Sequence, residues 1–302
     1  MTWLTWRQHR AALIGAAVFV VPLALLMAAF LGSVQEANTA CGEHECWGGV
    51  AAVLGDRLGQ IDSALTFGPP VLAGLVAVFW GAPMLSREYE QRTFLVAWGQ
   101  DVSPGRWLGG RAALLTGAVL LLSVPLAVVS WLLVQAVRAS GVRGDSGPYQ
   151  TLDLWPPIQV GQALFGLALG AAVGVLLRRT LVAMGTTLAV FVAVRLAIDT
   201  TVLRWLPPER LVHPIGDTMA VPADSALVST GLLDDAGDPV VPPVGCDQRC
   251  FAEHGIRHTY VDFQPLGRLD LLKWTEVIAY GLMAVGLTWL TWARVRRTTR
   301  VG

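Results

Sequence analysis

Hydrophobic residues in this chain gather into six long blocks, separated by charged segments and by stretches rich in Pro and Gly. The blocks run Ala11–Gly32, Phe67–Leu85, Ala112–Val137, Ile158–Leu177, Leu181–Leu203 and Leu271–Ala293. Hydrocarbon about 30 Å thick takes about 20 apolar residues of helix to cross, so each block predicts a membrane-spanning helix. The last is the least apolar, because Lys273 and Glu276 leave an uncharged run only from Val277 to Ala293. Those two charges would lie at headgroup level, where a Lys side chain snorkels. The first block is long for the apolar part of a signal peptide and no small-x-small cleavage site follows it, so a retained helix is expected. An all-α integral membrane protein with six spans follows, residues 1–302 forming a single transmembrane domain.

Two polar segments carry further pattern. Val50, Val53, Leu54, Leu58, Ile61 and Leu65 recur at helical spacing and predict a short amphipathic helix before the second span. Residues 204–270 hold eight Pro and many Asp, with few recurring apolar positions, and predict a loop-rich cap with short helices.

Composition agrees with a lipid environment. Hydrophobic residues make up 54% and charged residues 15%, against about 25% charge in soluble domains. The zero net charge conceals an asymmetry. With the N-terminus inside, the inner segments hold 12 basic and three acidic residues, and the outer segments 9 basic and 18 acidic. The positive-inside rule then puts both termini in the cytoplasm, in the cell membrane. The only Lys is Lys273, in the context Leu-Leu-Lys-Trp, so G-x-x-x-x-G-K-[ST] is missing and P-loop ATPase chemistry is excluded from this chain. No H-E-x-x-H and no G-x-S-x-G is present either, which removes two routes to an intramembrane hydrolase.

All four cysteines, Cys41, Cys46, Cys246 and Cys250, fall in segments assigned outside, the oxidising side where disulfides persist. Three pairings are open, local pairs and bridges between the two loops alike. Cys246, Cys250, His254 and His258 also recur every four residues, and Cys41, His44 and Cys46 form a second cluster. Zinc takes such ligands, but the spacing is that of no known finger; disulfides are expected and no metal.

Inside the spans, Gly166, Gly170 and Gly174 form a doubled G-x-x-x-G on one face of the fourth helix, where small residues admit close helix packing. Pro22 and Pro125 sit within spans. Arg195 and Asp199, four apart on the fifth helix, can meet as an ion pair toward its outer end.

The loop between the second and third spans reads Ser86-Arg-Glu-Tyr-Glu-Gln-Arg-Thr-Phe-Leu-Val-Ala-Trp98, then Ser103-Pro-Gly-Arg-Trp-Leu-Gly-Gly-Arg111. It starts with charges, turns apolar, breaks at Ser103–Gly105 and resumes amphipathically. Read alone, it is a basic juxtamembrane anchor. In this loop the chain resembles the permease subunits of type-2 ABC exporters, whose second and third spans are joined by [S]-R-E-x-E-x-x-T-φ, a few apolar residues and S-R-x-x-φ with a following basic residue. The match falls at Arg87, Glu88, Glu90, Thr93, Leu95, Ser103, Trp107 or Leu108, and Arg111. Pro104 stands where the family often has Arg, and Arg92 where Gly is common. The opening Thr2–Arg10 resembles the interfacial helix of such permeases, those of actinobacteria in particular.

The resemblance implies a permease paired with a second permease, alike or different, each resting on a separate ABC ATP-binding subunit. ATP and Mg2+ would belong to that partner, with no cofactor in this chain and no nucleic acid as a partner. Arg87, Glu88, Glu90, Thr93, Phe94 and Leu95 would form the coupling helix seated on the ATPase. A membrane sensor or assembly partner, whose Cys-rich outer loops bind a ligand without transport, is the alternative reading.

Overall fold

The computed structural model describes residues 2–41, 55, 57–91, 104–139, 152–215, 225–243, 245–246 and 248–298, apart from the side chains of 2–13, 41, 58, 62, 104, 248, 249 and 298. Five long helices and one broken one carry the spans: α1 (Thr2–Cys41), α2 (Arg57–Leu75) continued by a π-helical turn (Val76–Gly81) into α3 (Ala82–Glu90), α4 (Pro104–Ala139), α5 (Pro156–Leu177), α6 (Thr180–Thr201) and α8 (Leu266–Thr298). Six stretches among them are long and apolar enough to cross a membrane. Every one overlaps a predicted block, and most run further at one or both ends. The predicted amphipathic helix is absorbed in part: from Arg57 onward it is the first turns of α2, while 50–54 lie outside the described residues. The outward surfaces of the spans are apolar, with Leu181 83%, Leu121 75% and Leu282 69% exposed. Lipid is the solvent that suits such surfaces.

Two compact units divide the chain. The first, residues 1–143, 153–196 and 276–302, is built around α5, whose residues from Phe165 to Val175 are all buried. Its glycine face lies on the broken second span, backbone to backbone. A methyl group on Gly166 would stand 2.8 Å from the Ala73 carbonyl oxygen, and one on Gly174 would stand 2.5 Å from that of Ala82. The same addition to Gly170 would meet the Ala77 oxygen, and Gly81, facing it, leaves no more room (2.7 Å to the Leu167 oxygen). The π turn has a local cause. Pro83 has no N–H to donate, and the Ala82 N–H reaches five residues back to the Ala77 oxygen, widening one turn. Elsewhere in this unit Asn38 donates to the Ala136 oxygen at 3.0 Å, tying α1 to α4.

The second unit comprises residues 144–152 and 197–275. Here the structure departs from the loop-rich expectation. Four antiparallel strands, β1 (Glu209–Pro214), β2 (Ala226–Asp234), β3 (Pro239–Val240) and β4 (Ile256–Gln264), form one sheet in the order β1-β4-β2-β3. A short helix, α7 (Gln248–Glu253), precedes β4. Ile, Thr, Tyr, Val and Phe crowd β4, which suits a pleated, half-buried strand. The β2–β3 hairpin is closed by Asp234, whose carboxylate accepts the N–H groups of Ala236 and Asp238, both at 2.9 Å, with Gly237 at φ 86°. A core does exist: Leu152, Ala226, Leu269 and Leu272 are buried together with Leu203 and Leu206 against them. The Gln264 amide, itself buried, donates to the carbonyls of Leu203 and Leu206.

Asp262 on β4 accepts a two-pronged contact from Arg210 on β1 (2.7 and 2.9 Å) and a third bond from Ser229. Arg210 also lies over the Tyr260 ring. The guanidinium beside it, helped by the Ser229 hydroxyl, holds the Asp262 carboxyl below the usual carboxylate range, against the pull of desolvation. A carboxyl lowered on folding contributes stability that is complete above its unfolded value, about pH 4, and is lost as pH falls through the folded one. Arg210→Met is therefore expected to move acid loosening of the sheet to higher pH. Hydrogen exchange at β1 and β4 amides across an acid titration measures it; an unchanged midpoint would leave Arg210 no such role.

Candidate functional site

The charged end of the second span is held by contacts to three other elements. In α3, Met84, Leu85 and Ser86 are buried and Arg87 turns outward, exposed. Ser86 donates to the Ala82 carbonyl at 2.8 Å and lies 3.4 Å from the Thr180 hydroxyl. Glu88 forms an ion pair of 2.9 Å with Arg111 on α4, and the two side chains are only 13% and 8% exposed. The Arg111 guanidinium also stacks over Trp107, 4.4 Å from the ring centre. Tyr89 lies under Arg178 at 5.3 Å. Glu90 accepts the backbone N–H of Thr180 at 3.0 Å. Thr180 is the first residue of α6, so a carboxylate from another helix satisfies one of the donors that a helix start leaves open.

The geometry depends on a tight link between α5 and α6. Arg178 adopts the left-handed conformation (φ 55°) and its N–H bonds back to the Gly174 carbonyl, ending α5 in one residue. Arg178 and Arg179 are the whole connection. They bring Thr180 to Glu90 and Arg178 to Tyr89. Among the residues expected to couple to an ATPase, Glu88 and Glu90 thus engage this chain's own helices, and among the described ones Arg87 and Glu90 are exposed. Thr93, Phe94 and Leu95 lie outside the described residues. Arg111 was visible in the loop motif; Thr180 and Arg178 were not, because nothing in their local sequence marks them as neighbours of α3.

A second polar group lies within the bundle. Arg195 reaches Asp153 with both terminal nitrogens, at 2.8 and 2.6 Å, a carboxylate 42 positions away that the spacing to Asp199 did not suggest. Gln159, which is buried, donates to Ser130 at 2.9 Å and to the Leu154 carbonyl at 2.7 Å. Phe165 packs on Phe191 and Tyr280.

In the second unit the sulfurs of Cys246 and Cys250 are bonded to each other. With His254 they form a group whose ligand atoms lie within 4.8 Å of one another. Bonded sulfurs offer no thiolate to a metal, and the His254 ring nitrogen Nδ1 is 2.9 Å from the Cys250 carbonyl oxygen. His258 is on β4, paired across the sheet with Pro214 and Leu233. The Cys41 side chain, His44 and Cys46 lie outside the described residues.

Six helices long and apolar enough to cross a membrane define the class as a multi-pass membrane protein. Residues 10–204 match the family described as ABC-2 membrane transporter related, and the chain belongs to that family. The matched region runs from α1 through α6 and includes the whole braced end of α3. Neither the comparison with curated proteins nor that with solved structures returns a match.

Proposed function

We propose that this chain is the membrane-spanning subunit of an ATP-driven ABC exporter. Two such subunits pair around a path, and the loop 86–111 of each rests on a separate ATP-binding subunit in the cytoplasm. The observation that carries the reading is the bracing of α3. Arg87 faces outward from a helix end that is tied to α4 through Glu88–Arg111 and to the α5–α6 link through Glu90–Thr180. Force applied at Arg87 and the loop beyond it would reach three other spans through short, buried or charge-assisted contacts. An untethered loop would swing without moving the bundle.

In this mechanism the chain supplies no catalytic group. Its residues seat the ATPase, and closure of the ATPase pair tilts α3 against α5. The glycine face makes that a stiff contact, because backbone touches backbone with no side chain between to yield. The second unit and its Cys246–Cys250 bond would lie outside the cell. Co-expression with a candidate Walker-motif ABC ATPase from the same genome, then purification through the permease, tests the reading: the two are expected to elute together.

A further inference from the structure

The second unit brings three metal-seeking side chains together at α7. Cys246 precedes the helix, Cys250 lies within it and His254 follows it, at intervals that return them to one side. Their ligand atoms lie within 4.8 Å of one another, and Cys250 Sγ stands 3.7 Å from His254 Nδ1. Around tetrahedral zinc, with Zn–S about 2.3 Å and Zn–N about 2.05 Å, a sulfur and a nitrogen stand about 3.6 Å apart. One edge of such a site is therefore already formed. Two sulfurs on the same ion stand about 3.8 Å apart, a separation that the Cys246 side chain reaches by turning once the S–S bond is broken. The backbone of the site is fixed by more than the disulfide. The Cys246 N–H bonds to the Pro243 carbonyl at 3.2 Å and the His254 N–H to the Cys250 carbonyl at 3.1 Å. Two residues after His254, β4 begins at the buried Ile256. Cys246 and Cys250 are half-buried and His254 is exposed, so the group is open to solvent.

We infer that reduction of the Cys246–Cys250 disulfide turns this group into a zinc site, with the two thiolates and the His254 imidazole as ligands and a water completing the four. A dithiol reductant supplies two electrons and two protons: the S–S bond breaks, both sulfurs become thiols, and the reductant closes into its own disulfide. Zinc then takes both sulfurs as thiolates, with release of two protons. Coordination through Nδ1 takes the place of its contact with the Cys250 carbonyl, which keeps the His254 backbone N–H. Two soft thiolates beside an imidazole suit zinc and disfavour magnesium or calcium, which take oxygen ligands. Zinc would thus replace the covalent link wherever a dithiol reaches it, and α7 would stay tied to the start of β4. The inference rests on the second unit alone and needs neither the ATPase partner nor a transport path.

The test uses the purified full-length chain. One sample is treated with dithiothreitol and desalted without oxygen; the other is left oxidised. Both are titrated with zinc against a chromophoric chelator. The reduced chain is expected to bind one zinc more than the oxidised chain, and cobalt in its place should show the thiolate-to-metal charge-transfer band. His254→Ala still forms the disulfide while it folds, and should hold the added zinc at least about tenfold more weakly, since even an outer-shell partner is worth about 10–100-fold. Cys250→Ser should lose the added zinc, and Cys41→Ser combined with Cys46→Ser should keep it. No zinc gained on reduction overturns the proposal, as does a gain that either His254→Ala or Cys250→Ser leaves untouched. Loss of the gain in the Cys41→Ser, Cys46→Ser protein overturns it too, because the ion would then need the other two cysteines.

Discussion

Gly170→Ala will destabilise the purified permease by about 3 kcal/mol or more, the upper part of the range for overpacking. The added methyl would run into the Ala77 carbonyl oxygen while standing 2.5 Å from the Ala82 nitrogen and 2.7 Å from the Gly81 carbonyl carbon. A crowded side chain can change rotamer. A crowded backbone must move the helix. Gly117 and Gly185 provide the control, since a methyl on either meets nothing within 4 Å; alanine there should be neutral or stabilising by up to about 1 kcal/mol through helix propensity. Thermal unfolding of the four proteins in one detergent measures the difference. Equal midpoints for Gly170→Ala and Gly117→Ala would mean that α5 does not lie against the π turn.

Glu88→Gln is the second large effect. It leaves the Arg111 charge in a site where that side chain is 8% exposed, and stranding one partner of a buried pair costs about 3–5 kcal/mol. Arg111→Met should cost a similar amount. The double variant should recover much of the loss, because no lone charge remains. A thermal double-mutant cycle reads the coupling. The functional readout is separable: in membranes where the ATPase is bound, the double variant should restore folding but not substrate-stimulated ATP hydrolysis, since α3 has lost its tie to α4. Additive single costs would show that the two side chains do not depend on each other.

The membrane architecture was legible because it rests on local signals. A block of about 20 apolar residues is sufficient to name a candidate span, and each of the six blocks overlaps a helix long and apolar enough to cross, most of these helices running further than the block. The ends were missed because a helix such as α8 continues through Leu266–Asp270 beyond its apolar stretch. Gly166, Gly170 and Gly174 announced a packing face, but not its partner, the π turn that Pro83 and Gly81 accommodate. The sheet was illegible for a different reason. Its strands pair β1 with β4 and β2 with β4 across long separations, and its core draws Leu152 and Leu203 from outside the segment. Counting apolar residues within 204–270 could not find them. At the braced end, Glu88 and Glu90 were expected to couple to an ATPase, and their contacts within the chain, to Arg111 and Thr180, lie in other helices. Contacts of that kind belong to the fold, not to the motif.

Seating of α3 and the loop after it on a separate ATPase is the central claim, and retention of that ATPase tests it most directly. The permease is purified from cells co-expressing a candidate Walker-motif ATPase, and the ratio of the two chains is quantified for wild type, Phe94→Asp, Arg87→Glu and the distant control Gly117→Ala. Wild type and Gly117→Ala should retain the ATPase in equal amounts, and Phe94→Asp and Arg87→Glu should lose at least about nine-tenths of it, the tenfold change that 1.4 kcal/mol of interface energy produces. Full retention by both loop variants, or none by wild type, would contradict the account.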